Sequence, residues 1–328
     1  MPASPALTSE QLAAAAAGLQ ALEAQINRAV LGQRRVIREL ILAMTAAGHV
    51  LLEGLPGVGK TLLVRALARA IGGHYSRIQF TPDLMPADVT GHAIFDMKSE
   101  QFHIRQGPIF CNLLLGDEIN RAPAKTQAAM LEAMQERQVT IEGKALSLEP
   151  PFLVMATQNP IEQEGTYPLP QAQLDRFLIK ALIDYPSGED EVALVRQVTD
   201  GSVGDGLDLS KVERVIGLTQ VLEIQAAAAS LTIDERILDY AVRMARATRD
   251  WQGIESGAGP RASIALVRAA RAHALLGGND FVTPGDVKAV GHAVLRHRIK
   301  LSADLEIEGY RSDDLLAELL TGVAAPRS

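Results

Sequence analysis

The stretch Gly54-Leu55-Pro56-Gly57-Val58-Gly59-Lys60-Thr61 follows directly on the apolar run Val50-Leu51-Leu52, and its reading decides the rest of the chain. The spacing G-x-x-x-x-G-K-T is that of a loop that wraps a polyphosphate. Gly54 and Gly59 allow backbone angles that a side chain would forbid, so successive N–H groups turn inward around an anion. Lys60 carries an ammonium to the outer phosphates, and the Thr61 hydroxyl is a hard oxygen ligand for Mg²⁺. The helix expected from Thr61 onward points the positive end of its dipole at the same anion, so residues 54 through Leu62 form the candidate nucleotide segment. Leu63, Ala66, Leu67, Ala70 and Ile71 then fall in one helical stripe. With a strand before it and a helix after it, the loop reads as a nucleotide site and not as a bare glycine turn.

At 328 residues the chain is long enough for two units with proper cores. Hydrophobic residues make up 47% and aromatics 4%, an ordinary soluble composition. The single cysteine, Cys111, excludes a disulfide framework within the chain and suits a reducing compartment; its place before an apolar strand makes it a small buried hydrophobe. No basic leader precedes the alanine-rich start, and no apolar run is long enough to span a bilayer. The expectation is a cytoplasmic protein with no membrane segment of its own. Net charge is −7 without a basic block, which weighs against nucleic acid as a partner.

Along the chain, residues 1–30 read as a helix leading into Leu31-Gly32-Gln33. From about 49 to 185, apolar runs alternate with helical patterns: Val50–Leu52, Ser76–Phe80, Leu113–Leu115, Phe152–Ala156 and Leu178–Ile183 are the strands. Several are continuous apolar runs rather than alternating ones, as expected of a parallel sheet covered on both faces. Two segments alternate instead, His92–Arg105 and Val139–Leu148, and read as inserted hairpins. After Tyr185-Pro186-Ser187-Gly188 the strand signals stop. Residues 189–322 read as all-helical, with a loop at 201–206 and a helix start at Thr283-Pro284-x-Asp286 that buries Val287, Val290, Val294 and Leu295. The fold class is therefore α/β over 1–185, N-terminal helix included, followed by a helical unit over 186–328.

A second phosphate-site element is Asn112–Asn120. An apolar strand ends there in Asp117-Glu118, at the edge where open α/β sheets bind ligands. Asp117 suits the Mg²⁺ shell, and Glu118 is placed to polarise an attacking water as general base. Asn159 ends another apolar strand at the same edge, able to bond a terminal phosphate or orient the water, though Asn before Pro is also ordinary turn chemistry. Arg176 stands just before the fifth strand, and Arg261 follows a proline that opens a helix of the second unit. Either arginine taken singly reads as a solvated surface residue; delivered to a γ-phosphate, a guanidinium is worth roughly 10³–10⁵ in rate.

Together these stretches resemble the MoxR family of AAA+ ATPases over nearly the whole length. The matching segments are LGQ at 31–33, GLPGVGKT, QFTPDLMPADVTG at 79–91, GPIF at 107–110, DEINRAPAKTQAAMLEAMQE at 117–136, MATQNPIEQEGTYPLPQAQLDRF at 155–177, GPRAS and VLRHRI. Gly116 departs from the pattern, where the family more often has Ala. The resemblance implies an AAA+ P-loop domain with hairpin inserts followed by a helical lid, and ATP with Mg²⁺ as cofactors. Lys60 and Thr61 would be Walker A, Asp117 and Glu118 Walker B, Asn159 sensor 1, Arg176 the arginine finger and Arg261 sensor 2. It implies a self-assembled ring, commonly a hexamer, with ATP between subunits, so that Arg176 serves a neighbour's nucleotide; whose ATP Arg261 touches is left open. Arg121 reads as a further contact across the seam or as an exposed helix start. The implied work is chaperone-like remodelling or maturation of a client protein, with a von Willebrand factor A domain partner. Hydrolysis would shift the lid against the α/β unit, and the inserts would pass that motion on. The ATPase subunit of a metal chelatase and a helicase-type motor are the alternatives; a switch without turnover has no need of Glu118.

Overall fold

The computed structural model describes residues 8–160, 166–199, 209 and 211–326. The 201–206 loop, the first seven residues and residues 161–165 of the NPIEQEGTYP run lie outside the described residues. In chain order the elements are α1 (Ser9–Ala29), α2 (Arg34–Thr45), β1 (Val50–Gly54), α3 (Lys60–Ile71), β2 (Tyr75–Gln79), α4 (Pro86–Thr90), β3 (Gly91–Asp96), β4 (Gln101–Gln106), β5 (Leu113–Asp117) and α5 (Ala124–Glu136). There follow β6 (Gln138–Ile141), β7 (Lys144–Ser147), β8 (Leu153–Gln158), α6 (Gln171–Leu174) and β9 (Ile179–Ile183). The remainder is α7 (Gly188–Thr199), α8 (Leu218–Ser230), α9 (Glu235–Asp250), β10 (Ile254–Ser256), α10 (Pro260–Leu276), α11 (Pro284–Leu295), β11 (Lys300–Leu301), α12 (Ala303–Ile307) and α13 (Ser312–Gly322).

The five strands read as apolar runs form one parallel sheet in the order β2-β5-β8-β1-β9. Successive residues face opposite sides: Leu52, Leu115 and Met155 pack with α3 and α2, whereas Leu51, Leu114 and Val154 pack with Met130, Leu131 and Met134 of α5. Burial on both faces is why β1, β5 and β8 carry continuous apolar runs, whereas edge strand β2 leaves Arg77 and Gln79 exposed. The expected stripe of α3 is buried throughout, and the helix begins one residue earlier than expected, at Lys60. Both inserted segments are antiparallel hairpins, β3–β4 and β6–β7. Thr283 caps α11, its hydroxyl accepting from Asp286 N–H while the Asp286 carboxylate accepts from Thr283 N–H.

The second half is not wholly helical. β10 pairs antiparallel with β11, and Thr232 bridges Phe281. Segments this short carry no period, and their partners are remote in sequence, so only the folded chain shows them. The first half and the helical half share one apolar core: Leu19, Leu22 and Ile26 of α1 join Val221 and Ile224 of α8 and Leu266 of α10. Cys111 is buried, and burial pushes its thiol up to about 12, so it stays a protonated hydrophobe.

His49 shows how tightly the sheet's N-terminal edge is built. Val154 N–H donates to its Nδ1 at 3.0 Å, which leaves Nε2–H to donate to the Met134 carbonyl at 3.0 Å. The ring is held neutral, and burial brings its pKa down to about 4. As pH falls from the ordinary histidine value toward 4, the unfolded chain takes up a proton that the folded chain refuses. Stability from this site is therefore full above pH 6.5 and falls by roughly 3 kcal/mol by pH 4. Denaturant unfolding followed from pH 7.5 down to 4.5 should show that loss. An NMR titration placing the His49 midpoint near 6.5 would remove His49 as its cause.

Candidate functional site

Gly54 closes β1, which lies between β8 and β9, and the loop from it to Lys60 crosses the sheet's C-terminal edge. Its glycines serve two different ends. Gly57 and Gly59 adopt φ of 82° and 86°, and no atom lies within 4 Å of where a Cβ would stand on either. That leaves their backbone free to approach a ligand. Gly54, expected to need a special angle, has no positive φ; its constraint is packing, because a Cβ there would sit 2.2 Å from the carbonyl oxygen of Ile183 on β9. Val58 is buried, Leu55 and Leu62 pack against the same core, and Pro56 is exposed, so two apolar side chains of the loop anchor its glycines. Lys60 Nζ donates to the Gly54 carbonyl at 2.5 Å. Burial lowers the Lys60 pKa, and the charges of Asp117, Glu118 and Glu53 work in the opposite sense. The ammonium and the acidic pair thus face one another across the edge, as the separate motifs lead one to expect.

Between the two carboxylates stands a residue that sequence reasoning missed. Thr157 on β8 is fully buried; its hydroxyl donates to Asp117 Oδ1 at 2.7 Å and accepts Glu118 N–H at 2.9 Å. One hydroxyl therefore orients the first acid and fixes the backbone of the second, which adopts a left-handed φ of 57°. The β5–β8 register sets Gly116 against Ala156, which brings Thr157 to Asp117. The only local trace of this role was a threonine inside an apolar run. Two further partners come from edge strand β2: Arg77 pairs with Asp117 Oδ2 at 2.7 Å, and Gln79 donates to Glu118 Oε2 at 3.1 Å. Arg121 also meets Glu118 Oε2, at 3.0 Å, so in this structure it contacts the chain's own acid. Both contacts to Glu118 engage Oε2. Asn159 is buried just beyond β8, at the same edge. At Gly116 a methyl group would stand 3.0 Å from the Phe80 ring, so Phe80 takes the space an alanine would need.

Arg176 and Arg261 are elsewhere. They line one cavity with Ala47, Gly48 and His49, the residues that lead into β1. The cavity therefore opens at the N-terminal edge of the sheet. β1 alone, at a rise of about 3.3 Å per residue, puts about 16 Å between that edge and the phosphate loop. Arg176 is half-buried and donates from Nη1 to the Leu131 carbonyl at 2.7 Å; Arg261 is exposed in the first turn of α10. The two arginines predicted on separate grounds are neighbours, and both face away from the chain's own loop.

A phosphate loop after an inner strand of a parallel sheet, an acidic pair two strands away and a helical unit behind them belong to an AAA ATPase, an enzyme that hydrolyses ATP. Residues 49–179 match the family model for ATPases associated with various cellular activities, and residues 246–319 match the AAA lid domain. Chaperone MoxR1 of Mycobacterium tuberculosis is 42% identical over 97% of this chain and 85% of its own length. Uncharacterized protein YeaC of Bacillus subtilis is 44% identical over 92% of each chain. A solved structure from Cytophaga hutchinsonii, assigned as an ATPase, superposes with a TM-score of 0.89 at 38% identity, over 97% of this chain and 98% of that one. The chain belongs to the MoxR family of AAA ATPases. That membership does not favour the chelatase or helicase alternatives. Among the described residues no helix is long and apolar enough to cross a membrane.

Proposed function

We propose that this chain is a chaperone ATPase that works as a ring, commonly a hexamer in this family, with ATP bound at each seam between copies. In this reading residues 1–185 form the nucleotide unit and 186–328 the lid. Backbone N–H groups of 57–61 and the Lys60 ammonium hold the β- and γ-phosphates. The Thr61 hydroxyl and the Asp117 carboxylate are hard oxygen donors that fit Mg²⁺, which would neutralise developing charge on the phosphates. Glu118 takes a proton from the water as its oxygen bonds to the γ-phosphorus and the bond to the β-phosphate oxygen breaks. Asn159 orients that water or bonds a γ-oxygen. Arg176 and Arg261 of the adjoining copy stabilise the charge that builds on the transferring group.

The observation that carries the reading is the split between the edges. The loop and its acids lie at one end of the sheet, and the two arginines share a cavity at the other. An arginine across the sheet cannot reach its own chain's triphosphate, whereas stacking copies edge to edge brings the two halves together. The same geometry supports a trans role for Arg261. The relationship to Chaperone MoxR1 supports remodelling of a client protein as the output. A von Willebrand factor A domain partner is part of the proposal, with the exposed β3–β4 hairpin, tipped by Phe102 and Met97, as the element that transmits motion.

Lys60→Ala tests the nucleotide half. It should lose detectable ATP binding by calorimetry while keeping its helical circular dichroism, since among the described residues the ammonium hydrogen-bonds only the Gly54 carbonyl. Micromolar affinity retained in that variant would refute the loop assignment.

A further inference from the structure

The cavity at the N-terminal edge holds more cations than the two arginines assigned above account for. Its walls carry Arg137, Arg176, Arg261, Arg268 and Arg298, against one carboxylate, Asp175. Asp175 is already engaged, with Oδ1 at 2.7 Å from Arg298 Nε. Arg298 is itself buried and donates to the carbonyls of Phe177, Leu178 and Val294, so it is a structural cation that pins the segment bearing Arg176. Arg137 and Arg268 remain.

Both are placed by the fold to share the cavity with the other two. Arg268 follows Arg261 at i+7 on α10, with Ile264 and Ala265 between them on the same wall, so one helix face presents both guanidiniums. Arg268 Nη2 donates to the carbonyls of Ala46 and Ala47, which ties the side chain to the segment leading into β1. Arg137 caps the end of α5 in a left-handed conformation, φ 52°, just before β6. The groups feel one another. Burial and then the Arg137 charge lower the Arg268 pKa; burial chiefly lowers that of Arg298, against Asp175, with smaller contributions in the same sense from Arg261 and Arg268. Among the described residues no carboxylate forms an ion pair with Arg137, Arg261 or Arg268. Like charges gathered without a counterion cost stability in the free subunit, and such an arrangement marks a place where an anion arrives.

We propose that Arg137 and Arg268 act with Arg176 and Arg261 as a four-guanidinium receptor for the terminal phosphates of a nucleotide bound by a second copy of this chain. The proposal rests on the shared-seam reading above. Guanidinium forks match pairs of phosphate oxygens, and several of them converging on a triphosphate tighten as negative charge shifts during transfer. Two walls of the cavity would then touch the phosphates, the α5 terminus through Arg137 and lid helix α10 through Arg261 and Arg268.

The test uses the full chain and steady-state ATP turnover. Arg137→Ala and Arg268→Ala should each bind ATP at their own loop with unchanged Kd and turn it over about tenfold or more slowly. Mixing either with Lys60→Ala copies should restore turnover, because a seam then combines an intact loop from one copy with intact arginines from the other. Arg268→Lys, which keeps a donor for the Ala46 and Ala47 carbonyls, serves where the alanine variant unfolds; it too should lose turnover, since an ammonium lacks the fork. Turnover within about twofold of wild type for both positions, with Arg176→Ala inactive in the same assay and rescued by mixing, would overturn this inference and leave the shared seam standing. Arg176→Ala that mixing fails to rescue would remove the seam itself, and the receptor with it.

Discussion

Glu118→Gln should bind ATP as tightly as the wild type and hydrolyse it at least about 10²-fold more slowly. The substitution keeps the size of the side chain and an oxygen able to accept from Gln79 and Arg121, the two contacts Glu118 makes through Oε2. Its backbone is held independently, by the bond from Glu118 N–H to Thr157, so the left-handed turn survives the change. What is lost is the basic oxygen that takes the proton from water. Single-turnover hydrolysis beside equilibrium binding separates the two effects. Wild-type turnover in Glu118→Gln would show that the proton goes elsewhere. The same variant, stalled with ATP in place, is the reagent of choice for capturing client and partner together.

Arg176→Ala should leave ATP binding nearly intact and lower turnover by about 10³-fold or more, the size expected when a guanidinium is withdrawn from a transferring phosphoryl group. Binding is spared because Arg176 lies at the far edge of the sheet from Lys60. Fold is spared because among the described residues the side chain makes one hydrogen bond, to the Leu131 carbonyl, worth about 1 kcal/mol. Mixing Arg176→Ala with Lys60→Ala should recover activity, since each supplies what the other lacks. A fully active monomer at concentrations too low for assembly would refute any shared site.

Much of the architecture was legible because its signals are local. The five strands were located to within a residue or two, and the unbroken apolar runs of β1, β5 and β8 mark strands buried on both faces. The stripe of α3 and the cap of α11 follow from the 3.6-residue period and from backbone N–H groups that need partners. Gly59, Lys60 and Thr61 were readable for the same reason: a loop that wraps phosphates demands those residue types at consecutive positions.

The tertiary structure decided what depends on neighbours remote in the chain. Strand order β2-β5-β8-β1-β9 puts Thr157 between Asp117 and Glu118, and brings Arg77 and Gln79 from the edge strand to the same acids. No period in the sequence encodes that order, because hydrogen bonding between parallel strands is indifferent to which apolar run lies alongside. The packing of α10 against the start of β1 placed Arg261 beside Arg176 and added Arg137 and Arg268 to their cavity. An arginine's charge is written in the sequence; which way that charge faces is settled only when helices and strands from distant parts of the chain close on a common core.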